Sequence, residues 1–253
     1  RSSGSSCSSS AFCGSAGAAD RFAGWLGTLA DPAAAPAAPA AGAGGWPAPP
    51  PPPAGPEALA FPSEVAFCTL AMPAPHLADP AAAPLSVFSN LLGLGYLWEE
   101  IRVKGGAYGG LCAYQGSGQF QLLSYRDPDL VRTLGVFARL PKRWGASRLT
   151  RNDVERAIIS CCRDTVRPIR PQPAMQEALG RVLSRDSEAL LDERYDRLRR
   201  VTLKAVRETA ASFLADALPR ARTCVLAGAP LLAAANARLA TPLAIEPLLD
   251  EEG

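Results

Sequence analysis

A run from Pro32 to Pro56, almost wholly alanine, proline and glycine, limits the possible folds of this chain more than any other feature. Five consecutive prolines lie within it, from Pro49 to Pro53. Proline has no backbone N–H donor and a fixed φ, so such a run forms neither a regular helix nor a central strand. We interpret it as a stiff, partly polyproline spacer; a ligand for an aromatic-lined groove is the alternative. The folded body is expected to follow it.

The segment before this run has few residues to bury. Residues 1–18 are mostly Ser, Gly and Ala, a composition that predicts disorder. Apolar residues recur at helical spacing over about 20–29, which predicts one short helix. We therefore divide the chain into residues 1–58, disordered or low in complexity apart from that helix, and residues 59–253, a single folded domain.

Composition and charge argue against several classes of function. The formal net charge of +2 gives no electrostatic reason to expect nucleic acid or an anionic membrane as a partner. No apolar run approaches the roughly 18 residues that a membrane-spanning helix needs. The seven cysteines lack C-x-x-C spacing, and the single histidine, His76, lies in a proline-flanked loop. The sequence thus predicts a reduced compartment and no metal site within this chain.

Apolar patterns predict the first elements of the body. Val65–Met72 is apolar on both faces, as expected of a strand inside a sheet. Ala107–Tyr114 and Gln119–Tyr125 flank a short turn that contains two glycines, which predicts a β-hairpin. Pro84–Ile101 has a helical pattern, and its expected buried residues are Leu85, Phe88, Leu92, Tyr96 and Trp98.

Helices dominate the rest of the chain. Asp127 is predicted to cap a helix with Pro128 at its first position, and Thr150 with Asp153 resembles a capping box. The order of strand, helix, hairpin, helices and strand predicts an α+β fold. The remaining elements are predicted at roughly Ala174–Leu183, Ser187–Arg200 and Leu203–Ala217 for helices, Thr223–Ala227 for a strand, and from Leu231 for a last helix.

The segment Glu99–Gly110 is the most specific motif. An acidic pair and Arg102 end the apolar helical pattern, and two Gly-Gly pairs then flank Tyr108 at the start of a strand. Glycine accepts positive φ and lets another backbone come close, so this pattern indicates a place where a second chain is held. It is not a phosphate-binding loop, because it lacks the Lys-Ser/Thr ending and precedes a strand instead of a helix.

Together with Leu123–Pro128, the segment Glu100–Gly110 closely resembles the C-terminal domain of the presequence proteases. These are pitrilysin/insulinase-type zinc metallopeptidases of mitochondria and plastids. The similarity runs in register from about Leu59 to Ala227, with a weaker match at Asp20–Leu29. It implies a clamshell-type enzyme whose two halves close around an unfolded peptide, each half made of two α+β domains. The last domain would have a mostly antiparallel sheet with helices packed on one face.

The resemblance also implies roles for particular residues. Tyr108 would donate a hydrogen bond to the oxyanion that develops at the scissile carbonyl, and Arg102 would orient the peptide backbone. The residues expected to lie against the substrate are Gly105, Gly106, Ala107 and Gly109. In this family zinc lies in the first domain, in an inverted H-x-x-E-H motif that this chain lacks. The zinc would therefore be bound outside this chain, by the N-terminal catalytic half, and the chain alone is predicted to be inactive.

By this resemblance the chain is the C-terminal domain of a metalloendopeptidase that degrades targeting presequences and other short unfolded peptides. Its location would be the mitochondrial matrix or the plastid stroma. A non-catalytic scaffold or subunit-interaction domain and a peptide-binding domain of the same fold are the alternatives. Purely structural roles also stay open: Arg102 could be a cation that stabilises a helix C-terminus, and Tyr108 a half-buried aromatic residue of a strand. The Arg-rich stretch Arg194–Arg207 is interspersed with acidic residues, which predicts a solvated helix face.

Overall fold

The computed structural model describes residues 15–29, 55–166, 168–184 and 186–248. These residues fall into two compact units. One contains the helices α1 (Ala16–Leu29) and α6 (Pro171–Ser184), and the other contains a six-stranded sheet and the remaining helices. Disorder was predicted over residues 1–18; its last part is wrong, because α1 begins at Ala16, while residues 1–14 lie outside the described residues. Nearly all of the proline-rich run also lies outside them.

The second unit combines strands with helices. Its strands are β1 (Glu57–Ala60), β2 (Ala66–Pro73), β3 (Gly109–Gln115), β4 (Gln119–Asp127), β5 (Arg222–Ala227) and β6 (Ala244–Pro247). Its α-helices are α2 (Ala82–Leu91), α3 (Leu130–Ala138), α4 (Leu140–Gly145), α5 (Arg151–Val166), α7 (Glu188–Arg199), α8 (Leu203–Ala217) and α9 (Ala229–Asn236). A π-helix (Leu92–Val103) continues α2, and a 3-10 turn (Leu218–Arg220) follows α8.

The strands form one sheet in the order β3-β4-β2-β5-β1-β6. The pairs β3–β4, β4–β2 and β2–β5 are antiparallel, whereas β5–β1 and β1–β6 are parallel. The predicted α+β fold with a mostly antiparallel sheet is therefore confirmed. In this order β3 is a terminal strand that pairs with β4 on one side.

One face of the sheet packs into the core. Along β2, Cys68, Leu70 and Met72 are buried, while the alternate residues Phe67 and Thr69 are only half-buried. This alternation follows from the pleat, since successive side chains of a strand point to opposite faces. At the centre of the core, helix α2 and strand β4 meet through stacked aromatic rings of fully buried residues.

The structure confirms one predicted cap and corrects another. The backbone N–H of Thr150 donates to Asp153 Oδ2 at 2.9 Å, and the N–H of Asp153 donates to Thr150 Oγ1 at 3.2 Å, as a capping box requires. The predicted capping residue Asp127 is wrong, because β4 extends to that residue by pairing with Ala66. Asp129 caps α3 instead and accepts a hydrogen bond from the Arg132 N–H at 3.2 Å.

Candidate functional site

The π-helix determines which side chains face the site. Its wider turn is evident where the N–H of Lys104 donates to the carbonyl of Glu99, five residues earlier, at 3.0 Å. The helix buries Leu92, Leu97 and Ile101, at spacings of five and four residues. The predicted burial of Trp98 is wrong, because this residue is 43% exposed. Trp98 follows Leu97 by one residue and therefore points away from this buried stripe.

Glycines end this helix where the chain turns into the sheet. Gly106 has φ of +77°, a conformation that glycine adopts without strain. At Gly105 a Cβ atom would lie 2.4 Å from the Ile101 carbonyl oxygen, so a side chain is excluded there. Ala107 is buried, and its N–H donates to the same oxygen at 3.2 Å. These three residues close the helix, which brings Arg102 and the start of β3 together.

A β-bulge shapes the strand beside the site. Ala66 pairs with Asp127 and Cys68 pairs with Ser124, so β4 carries one more residue than β2 between these pairs. Arg126 lies in the bulge with φ of 49°, a left-handed conformation that costs a residue with a side chain about 1–3 kcal/mol. Its carbonyl accepts a hydrogen bond from the Tyr108 N–H at 3.3 Å, which connects the bulge to the candidate catalytic residue.

Arg102 and Tyr108 lie in a row of stacked side chains, which we call the aromatic row. The Arg102 guanidinium carbon lies 4.3 Å from the centre of the Trp98 ring and 5.4 Å from the centre of the Tyr108 ring. The row continues edge to face, with 5.7 Å between the ring centres of Tyr108 and Tyr125 and 5.3 Å between those of Tyr125 and Phe67. The two residues singled out by the sequence are thus neighbours in space.

The charge of Arg102 is not neutralised by a carboxylate in the described part of the chain. Its neighbour Glu100 is committed to other cations, with contacts of 2.9 Å to Lys104 and 3.8 Å to Arg132. The hydrogen bond from Lys104 holds the pKa of the Glu100 carboxyl below its usual value. Arg102 is exposed and stacks on rings, which leaves its N–H donors for an external acceptor.

An apolar cavity of about 360 Å³ lies between the π-helix and β3. Tyr108 lies at this cavity with 64% of its side chain exposed, beside Gly109. The structure therefore places Arg102, Tyr108 and Gly109 together at this cavity. In contrast, Gly105, Gly106 and Ala107 form the end of the π-helix. Leu111 and Tyr125 also line the cavity and were not predicted from the sequence. Tyr125 could have been identified, because it lies in the motif Leu123–Pro128.

Adjacent glycines in β3 are predicted to differ sharply in tolerance. At Gly110 a Cβ atom would lie 2.7 Å from the Leu97 carbonyl oxygen, so Gly110→Ala must push the strand away from the π-helix. We expect it to lower the free energy of unfolding by about 1–3 kcal/mol, as overpacking does. At Gly109 the nearest atom is Tyr125 Cβ at 3.9 Å, and Gly109→Ala is expected to change stability by less than about 0.5 kcal/mol.

Urea unfolding of the two variants of this chain measures both values. Equal losses at the two positions would show that the close contact between helix and strand does not constrain Gly110.

Two negative observations concern the described residues alone. Within them, no three His, Cys, Asp or Glu side chains are grouped so that they could hold a metal ion. These residues therefore do not fit a zinc site. Likewise, no helix in the described ranges is long and apolar enough to cross a membrane.

Comparison with known proteins identifies the family. The model of the PreP C-terminal domain matches residues 57–218. The mitochondrial presequence protease of Eremothecium gossypii is 32% identical over 178 residues, which cover 70% of this chain and 18% of that protein. The corresponding protein of Gibberella zeae is 35% identical over 162 residues, covering 63% of this chain and 16% of that protein. The chain therefore spans less than a fifth of the length of these relatives.

Solved structures support the fold. A protease from Helicobacter pylori superposes with a TM-score of 0.53 at 13% identity, covering 67% of this chain and 43% of that one. A peptidase M16 inactive domain from Pseudomonas fluorescens superposes with a TM-score of 0.52 at 15% identity, covering 68% of this chain and 43% of that one. Since the family model matches well over half of the chain, this protein belongs to the PreP C-terminal domain family of presequence proteases.

Proposed function

We propose that this chain is the last domain of a zinc metalloendopeptidase that degrades presequences and other short unfolded peptides. The proposal rests on the environment of Arg102. This residue is exposed, has no carboxylate partner among the described residues, and stacks beside the exposed Tyr108. Glu100, two residues earlier on the helix, does not face Arg102 and pairs with Lys104. The contacts of Arg102 within the described residues are with the faces of aromatic rings.

In this proposal the two side chains act on different parts of the peptide. The Tyr108 hydroxyl donates a hydrogen bond to the scissile carbonyl oxygen as negative charge develops on it, the role of a preorganised oxyanion donor. The Arg102 guanidinium donates from its planar fork to carbonyl oxygens of the bound backbone, which fixes the direction of the peptide.

The sheet offers a surface for an extended peptide. Strand β3 pairs with β4 on one side, so a peptide strand can add along its other edge, with Gly109 allowing close approach of the backbone. Gly105, Gly106 and Ala107 contribute by holding this strand against the helix end. The 360 Å³ cavity beside Tyr108 supplies an apolar wall for the peptide.

The rest of the enzyme lies outside this chain in the proposal. The N-terminal catalytic half supplies the zinc and the general base, and residues 59–253 form the C-terminal domain that closes on it. The two relatives above are named mitochondrial, which favours the mitochondrial matrix over the plastid stroma. The isolated chain is expected to be inactive as a peptidase.

Substitution of Arg102 tests the proposal. In the complete protease, Arg102→Leu is expected to raise KM for an unfolded peptide by about 10- to 100-fold, because charge-assisted hydrogen bonds to the backbone are lost. Arg102→Lys keeps the charge but lacks the planar guanidinium fork, so its KM should lie between those of the wild type and Arg102→Leu. The measurement is steady-state cleavage of a fluorogenic peptide.

Arg151→Leu is the matched control, because this exposed Arg pairs with Glu155 on the surface of α5. Such pairs contribute little, so its kinetics should match those of the wild type. Unchanged kinetics for Arg102→Leu would contradict the proposal and favour the scaffold alternative.

A further inference from the structure

We propose that Trp98 is a positioning residue: its ring holds the Arg102 guanidinium in the orientation from which it reaches the peptide. This inference rests on the proposed function and goes beyond it, since Trp98 itself touches no reacting atom. Its basis is the geometry at the end of the π-helix, where the two side chains are four residues apart and 4.3 Å separates the guanidinium carbon from the ring centre.

Two rings define the position of the guanidinium. Trp98 lies at 4.3 Å and Tyr108 at 5.4 Å, both within the range of an attractive cation–π contact. Arginine donates hydrogen bonds in the plane of its guanidinium group, so contacts with ring faces leave those donors free. A long, flexible side chain that would otherwise sample many rotamers is thereby fixed before the substrate arrives.

Trp98 contributes little to the core, which argues against a purely structural role. The hydrophobic core of the described residues includes Leu97 and Ile101 of the same helix but not Trp98. The ring instead lines the apolar cavity beside Tyr108 and keeps 43% of its surface exposed. Its closest described cation is Arg102, at 4.3 Å from the ring centre, which gives the exposed ring a defined contact at this site.

The spacing of four residues places the two side chains on the same side of the helix. The π-helix buries Leu97 and Ile101 on one side, while Trp98 and Arg102 lie together on an exposed side. π-helical segments are frequent at functional sites.

The first test uses the full chain of 253 residues and needs no activity. In NMR spectra, the Arg102 side-chain protons should be shifted upfield by the ring current of Trp98. Trp98→Leu should remove most of this shift and leave the smaller contribution of the more distant Tyr108 ring, and Trp98→Phe, which keeps a ring, should retain much of it. An Arg102 shift that is absent in the wild type, or unchanged in Trp98→Leu, would overturn the inference.

The second test uses the complete protease. Trp98→Leu is expected to raise KM by about 2- to 5-fold with kcat nearly unchanged, the loss expected from one exposed cation–π contact, and Trp98→Phe should restore most of it. In an Arg102→Leu background, Trp98→Leu should have no further effect, because the group it positions is gone.

The outcomes separate this inference from the proposed function. If Arg102→Leu raises KM but Trp98→Leu does not, the positioning role fails and the function stands. If Arg102→Leu has no effect, the proposed function fails, and the NMR shift alone decides whether Trp98 orders Arg102. If Leu94→Ala, which trims the same cavity, raises KM as much as Trp98→Leu does, Trp98 acts as a cavity wall and the inference is overturned.

Discussion

Tyr108→Phe in the complete protease is expected to lower kcat by about 100- to 1,000-fold, the loss seen when one oxyanion donor is removed. The substitution deletes a single hydroxyl and keeps the ring that contacts Tyr125 and Arg102. KM should change little, because the hydroxyl acts on charge that develops only in the transition state. Steady-state cleavage of a fluorogenic peptide at saturating concentration measures kcat directly.

Tyr195→Phe on α7 is the matched control, since it deletes a hydroxyl from a half-buried ring outside the aromatic row. It should keep wild-type turnover. The two variants should also unfold at the same urea concentration as the wild type, which excludes a folding defect. Wild-type kcat in Tyr108→Phe would remove Tyr108 from the catalytic site and leave a peptide-binding or scaffold role for the domain.

Phe88→Ala is expected to lower the free energy of unfolding by about 3–5 kcal/mol, the range for a large aromatic removed from a packed core. The Phe88 side chain is fully buried, with its ring centre 5.6 Å from that of Phe120 and 4.5 Å from that of Trp144. Neighbours on both a strand and a helix limit how far the cavity can collapse. Urea unfolding of the chain, followed by circular dichroism, measures the change.

Phe67→Ala is the comparison on the other face of the sheet. This ring is half-buried and contacts Tyr125, so less apolar surface is lost and the expected cost is smaller than that of Phe88→Ala. A loss below about 1 kcal/mol for Phe88→Ala would mean that α2 is not anchored through this ring. The π-helix that carries Arg102 continues α2, so its placement depends on the same anchor.

Long periodic segments of the fold could be predicted from the sequence, and short or unusual ones could not. The hairpin and the helices α5, α7 and α8 were predictable because alternation and capping residues define them. Strands β1 and β6 have four residues each, too few to show a period, and their parallel pairing is non-local. The left-handed backbone conformation of Arg126 was not predictable, because a positive φ is expected from sequence mainly at glycine.

The candidate site divides in the same way. Arg102 and Tyr108 were identified from motif resemblance, and the structure places them side by side. The predicted burial of Trp98 is wrong, since residue 98 lies off the apolar stripe of the helix with either α or π winding. The burial of Leu97 and Ile101 was not predictable, because apolar periodicity does not distinguish the two windings over so short a segment.

Among the described residues, strand β3 ends the sheet and pairs with β4 on one side only, and Leu111 on it is 54% exposed. Exposed strand edges invite pairing between copies, the route by which sheet proteins aggregate. The free edge of β3, which is proposed to bind a peptide, therefore also favours aggregation when the domain is produced by itself. Low protein concentration and added extended peptide are therefore sensible conditions for handling the isolated chain.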